Sequence, residues 1–85
     1  MTTLVEILPV GRYEPREVRL EVARKLKAKF SPRKFRYWKE KLGIGPDEDG
    51  LYWDEDLEKM KAFARYRRNG GRSFRKFNIK YNGDN

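Results

Sequence analysis

The sequence predicts a small, mainly α domain of three to four helices with one short β-hairpin. Three observations predict it. Apolar residues recur every three or four positions in three separate stretches, the spacing of an amphipathic helix. Those stretches open on prolines or capping residues, and two of them close on glycine. Between the second and third lies a turn-rich loop, followed by an aromatic run too short for a helix. At 85 residues the chain makes one domain. The expected divisions are an N-terminal arm or short strand over 1–13, the folded domain over 14–80 and a frayed tail over 81–85.

The arm carries Leu4, Val5, Ile7, Leu8 and Val10, interrupted by Pro9 and Gly11. The first helix is expected over 15–29. Pro15 suits a first turn, where its missing N–H costs nothing. Val18, Val22 and Leu26 form one apolar stripe, with Ala23 beside it. Ser31-Pro32 opens the second helix as cap and first residue. Phe35, Trp38 and Leu42 mark its buried side, and Gly43 stops it. Gly45, Pro46, Asp49 and Gly50 then make turns before Leu51-Tyr52-Trp53, and a tight hairpin fits this segment. Asp54 is the expected cap of the third helix, running to 68, with Glu55, Asp56 and Glu58 at its positive pole. Leu57, Met60, Phe63 and Tyr66 make its stripe, and Gly70-Gly71 ends it. Ser73 can cap a last short helix to about Phe77.

Charge is organised along the chain. Residues 12–41 hold 12 Lys or Arg and 4 Glu, and residues 47–58 hold 7 acids and no base. Residues 59–80 hold 9 Lys or Arg and no acid. A net charge of +8 gathered into two basic blocks points to a polyanionic partner, because charge that served only solubility would be mixed.

Several chemistries are excluded. The chain has no Cys and no His, so it lacks thiolates, disulfides and the commonest general base and metal ligand. Asp47, Glu48 and Asp49 lack the spacing of a calcium loop, and Gly70-Gly71 lacks the Lys-Ser/Thr of a phosphate loop. No enzyme activity, metal or cofactor is expected. No apolar run approaches the roughly 18 residues of a membrane span, and no signal-peptide pattern is seen. A cytoplasmic, nucleoid-associated protein is the expectation.

Two helices joined by a turn, then a hairpin and a third helix, give the order of a winged helix-turn-helix. The residues strengthen that pattern. Ser31-Pro32-Arg33-Lys34-Phe35-Arg36-Tyr37-Trp38 followed by Leu42-Gly43-Ile44 resembles the recognition segment of MerR-type regulators, S-P-x-T-L-R-Y-W/Y-E and then G-L/I. Tyr52-Trp53-Asp54-Glu55-Asp56-Leu57 is similar to that family's x-Y-[ST]-x-x-D-L. Leu57, Met60, Phe63, Tyr66 and Arg67 follow its L-x-x-L-x-x-I-x-x-L-R spacing, and Gly71 to Phe77 fits its G-x-S-L-x-x-I ending. The resemblance covers about residues 20–77, and phage excisionases share the arrangement. It departs in four places. The turn between Leu26 and Ser31 is longer than usual. Leu51 stands where the wing normally has arginine, beside the acidic Asp47, Glu48 and Asp49. The family's long dimerising helix and its effector-binding region have no counterpart in this sequence. An acidic wing is repelled by phosphate, so this one is not expected to grip DNA.

The resemblance implies sequence-specific binding to double-stranded DNA, with transcriptional repression as the output, or an excisionase-like accessory role in recombination. The expected DNA-binding residues are Ser31, Arg33, Lys34, Arg36 and Tyr37 on the second helix. Arg67, Arg68, Arg72 and Arg75 are expected to form a second, phosphate-contacting patch. A homodimer or a second protein partner is expected to extend the small footprint, with no small-molecule effector. Two rival classes stand beside this one: a basic RNA-binding protein that stacks bases on aromatics, and a phage-type interaction module that uses acidic segment 47–58.

Overall fold

The structure is a computed structural model and describes residues 11–82. It is mainly helical, with four helices and a two-stranded antiparallel sheet. Strand β1 (Arg12–Tyr13) leads into α1 (Pro15–Leu26), and α2 (Pro32–Leu42) follows after a short turn. Strand β2 (Tyr52–Trp53) runs straight into α3 (Asp54–Arg68), and α4 (Phe74–Asn82) closes the domain. No helix among the described residues is long and apolar enough to cross a membrane.

Local chemistry explains most boundaries. At α1, Glu14 and Glu17 form a reciprocal capping box, with Pro15 at the first position. At α2, the Ser31 side chain accepts from the Lys34 backbone N–H at 3.1 Å. Gly43 leaves that helix in the left-handed conformation. The end of α1 falls short of the expected residue 29. Lys27 turns left-handed at φ 59° and donates its N–H to the Ala23 carbonyl. The early stop lets Phe30 reach the core, where its ring lies 4.7 Å from that of Trp38.

The strand pairing also differs from the expected tight hairpin. Trp53 pairs with Arg12 and Tyr52 with Tyr13, so β2's partner lies before α1. The loop before β2 closes on itself instead: Asp47 donates its backbone N–H to the Leu51 carbonyl, and its carboxylate accepts from the Asp49 and Leu51 N–H groups. Of the expected arm over 1–13, only Gly11 to Tyr13 are described, and Arg12–Tyr13 is the strand. The apolar segment 4–10 lies outside the described residues. Asp54 is not a cap but the first residue of α3. Trp53 takes the cap position because the strand passes into the helix without a linker. The last helix runs past Phe77 to Asn82, so Tyr81 and Asn82 belong to α4 rather than to a frayed tail. Residues 83–85 lie outside the described residues.

One core holds these elements. α1 packs along α3 through Val18 and Val22, and α2 adds Phe35, Trp38 and Leu42. α3 contributes Leu57, Met60, Phe63 and Ala64, and α4 contributes Phe77. Aromatic rings dominate: Phe63 stacks on Phe74 at 4.4 Å and meets Trp38 edge-on at 4.7 Å. Gly71 lies so close under the Tyr66 ring that a Cβ there would stand 2.5 Å from it.

The wing is held by Arg12. Its Nε donates to Asp47 Oδ2 at 3.0 Å, and its Nη2 reaches both Asp47 and, at 2.8 Å, Asp49. The guanidinium also lies over the Trp53 ring, 5.1 Å from its centroid. Asp49 first and Asp47 second hold the Arg12 pKa above its ordinary value. Partial burial pushes Asp47 upward. The Leu51 N–H, the Arg12 guanidinium and the Asp49 N–H together outweigh it, and its pKa lies below the usual carboxylate value.

Two stability predictions follow from these features. Lys27 pays the left-handed penalty that glycine avoids, so Lys27→Gly is expected to stabilise the fold by about 1 kcal/mol in urea unfolding; an unchanged or lower midpoint counts against that account. Asp47's folded pKa is depressed, so its contribution is complete above the unfolded value of about 3.9 and is lost as pH falls through the lower folded value. Asp47→Asn is expected to lower stability at neutral pH and to flatten the acid limb of the stability profile below about pH 4. An acid limb as steep as that of the wild type would contradict it.

Candidate nucleic-acid interface

At about 100° per residue, Arg33, Tyr37 and Glu40 fall on the side of α2 opposite Phe35, Trp38 and Leu42. Arg36 borders that face on one side. All four are exposed, Tyr37 to 50 %. Lys34 and Lys41 are exposed on a flank of the same helix. Among the described residues, no carboxylate pairs with Arg33, Lys34 or Arg36. The first turn of α2 contains no acid, so its helix-dipole pole carries only cations. The Ser31 hydroxyl oxygen is used in capping, which leaves its O–H as a donor.

α4 lies beside this helix. The Tyr37 and Phe74 rings meet edge-on at 5.5 Å, and Asn78 Nδ2 donates to the Lys41 carbonyl at 3.1 Å. Both contacts advance four residues along each chain, so α2 and α4 run in the same direction here. An open groove between them is lined by Tyr37, Lys41, Phe74, Arg75, Asn78 and Ile79. Arg75, expected in the second patch, instead lines this groove beside α2. Lys41 joins it too, with its ammonium 5.6 Å from the Tyr37 ring centroid. The sequence reading missed that residue as a site member. Its position four after Tyr37 was the available signal.

The second predicted patch is divided. Arg72 is exposed in the turn before α4, and Arg67 is exposed in the last turn of α3. Arg68 turns the other way: its Nη1 donates to the Lys25 carbonyl at 3.3 Å, at the end of α1. Neither Arg67 nor Arg68 lines the α2–α4 groove.

Acidic segment 47–58 is mostly engaged within the fold. Asp47 and Asp49 hold Arg12, and Glu58 pairs with Lys61 at 3.4 Å. Asp54 accepts from the Tyr13 hydroxyl at 3.0 Å, which raises the Tyr13 pKa. Burial raises the pKa of Asp56, outweighing the lowering effect of the nearby Trp53 backbone N–H. Only Glu48 and Glu55 remain outside these contacts. Among the described residues, no group of three or more acids is arranged to hold a metal ion. No family model matches the chain, and neither a curated protein nor a solved structure matches it.

Proposed function

We propose that this domain binds double-stranded DNA by placing α2 in a major groove, and that its output is repression of transcription by occupying a site. The observation that carries the reading is the outer side of α2. Arg33 and Arg36 stand exposed with Tyr37, without carboxylate partners among the described residues, and the helix begins at a pole with no acid. First-turn residues of such a helix reach base edges, and arginine is the commonest partner of guanine. Lys41 and Arg75 line the groove beside the helix and suit phosphates, as does the exposed Arg72 before α4. Arg68, tied to α1, is assigned no direct part. The pairing of Asp47 and Asp49 with Arg12 offsets part of the acidic segment's charge and so speaks against the interaction-module reading.

The test is duplex binding at several salt concentrations, with wild type beside Arg36→Ala. About six phosphate contacts give a log–log salt slope near −5. Loss of a base-contacting arginine costs about 1–3 kcal/mol, or roughly five- to 150-fold in affinity. Failure to bind at low salt, binding indifferent to Arg36→Ala, or preference for structured RNA in competition would each sink the reading.

A further inference from the structure

The apolar side of α2 fixes how deeply the helix sits, but hydrophobic contact has no direction. Directional bonds to other elements are confined to its second half. Gly43 and Ile44 both donate N–H to the Lys39 carbonyl, which leaves the carbonyls of the last turn without intrahelical partners. Two other helices supply the missing donors. Lys59 Nζ of α3 reaches the Leu42 carbonyl at 2.9 Å, and Asn78 Nδ2 of α4 reaches the Lys41 carbonyl at 3.1 Å. Lys59 also stands 5.7 Å from the Tyr81 ring centroid, so one ammonium bridges α2, α3 and α4. Its charge suits the negative end of the α2 dipole. A third link comes from Lys39, whose Nζ donates to the Tyr52 hydroxyl of β2 at 2.9 Å. Among the described residues, no side-chain hydrogen bond joins residues 33–37 to another element.

We propose that Lys59 and Asn78 are positioning residues, which hold α2 by its last-turn carbonyls and so set which bases its first turn reaches. The consequence for base choice rests on the DNA-binding reading, whereas the clamp itself does not. The geometry acts as a lever. An 11-residue helix is about 16.5 Å long, so a tilt of about 10° at one end moves the other by about 3 Å. The rise between successive bases is about 3.4 Å. A small rotation at the clamp therefore shifts Arg33 by about 2 Å and Arg36, nearer the clamp, by about 1.5 Å, roughly half a base step or more. Phosphate contacts are less exacting, because flexible cations can follow the backbone.

The experiment compares wild type, the double variant Lys59→Met with Asn78→Ala, and Lys59→Arg. Methionine keeps the apolar stem and removes the donor. Residual dipolar couplings read the orientation of α2 against α3 in the free protein. Binding to a site selected from random duplex, against an unrelated duplex, reads specificity across salt concentrations. In the double variant α2 is expected to turn by about 10° or more, a change large enough to spoil a preorganised site. The specificity ratio is expected to fall about tenfold, within the range of one lost base contact. The salt slope and thermal midpoint should stay near those of the wild type, and Lys59→Arg should keep the wild-type orientation and ratio. An unchanged α2 orientation overturns the proposal. So does a salt slope reduced by about one, which would make Lys59 a phosphate contact. A ratio that falls only in step with stability overturns it as well. Should the double variant fail to fold, Lys59→Met alone is read by the same criteria. A wild type that selects no duplex site sinks the DNA-binding reading, and the dipolar couplings then decide the clamp by themselves.

Discussion

Trp38 is the contact on which the other elements depend. It lies on α2, yet its ring meets Phe30 from the turn after α1, Phe63 from α3 and Phe74 from α4. Truncating a buried aromatic of this kind costs about 3–5 kcal/mol, against a total stability of about 5–15 kcal/mol for a small domain. The reach of that one side chain also explains two boundaries. α1 ends early so that Phe30 can turn in beside Trp38. The chain bends sharply at Gly70 and Gly71 so that Phe74 can return over Phe63. The helix proposed to read DNA is thus also the helix that organises the core, with its two roles on opposite sides.

The fold treats its acids and bases differently. Most acids of segment 47–58 are engaged with partners inside the domain, at the Arg12 cluster, the Tyr13 hydroxyl and the first turn of α3. Arg33, Lys34, Arg36 and Lys41 of α2 and Arg75 of α4 are left facing outward. Exposed like charges repel one another and lower the stability of the unbound domain. A bound polyanion removes that repulsion and stabilises the folded state by mass action. An uneven use of charge of this kind costs a little in the free protein and would favour a complex with a polyanion.

Elements with strong local signals were legible in the sequence. α2 is the clearest case: Ser31, Pro32, the Phe35–Trp38–Leu42 spacing and Gly43 each act within a few residues, and together they fixed both ends. What could not be read depends on distant partners. Arg12–Tyr13 is too short for an alternating pattern, and its pairing with Tyr52–Trp53 joins segments 40 residues apart. The left-handed turn at Lys27 is set by where Phe30 must go, and nothing in a lysine signals it. Asp54 looked like a cap because the direct passage of β2 into α3 is a tertiary fact. In the candidate site, Arg33, Arg36 and Tyr37 were legible from their spacing against the buried side. Lys59 and Asn78 were not, because a lysine or asparagine within a helix ordinarily reads as a solvated side chain.

Under the DNA-binding proposal, Glu40 constrains how α2 can approach the duplex. It is exposed on the same side as Arg33 and Tyr37, one turn closer to the carboxyl end. A carboxylate there is repelled by phosphate, although it can accept from a cytosine amino group in the groove. A pose that laid the whole side of α2 along one backbone would therefore oppose Glu40 to phosphate. A pose led by the first turn avoids this: Arg33, Lys34 and Arg36 enter first, while Glu40 stays over base edges or at the rim. The clamped carboxyl end of α2 then lies farthest from the bases, where Lys59 and Asn78 hold it without competing for the DNA. Local charge and helix anchoring thus favour the same orientation, with the dipole's positive pole and the densest cations foremost.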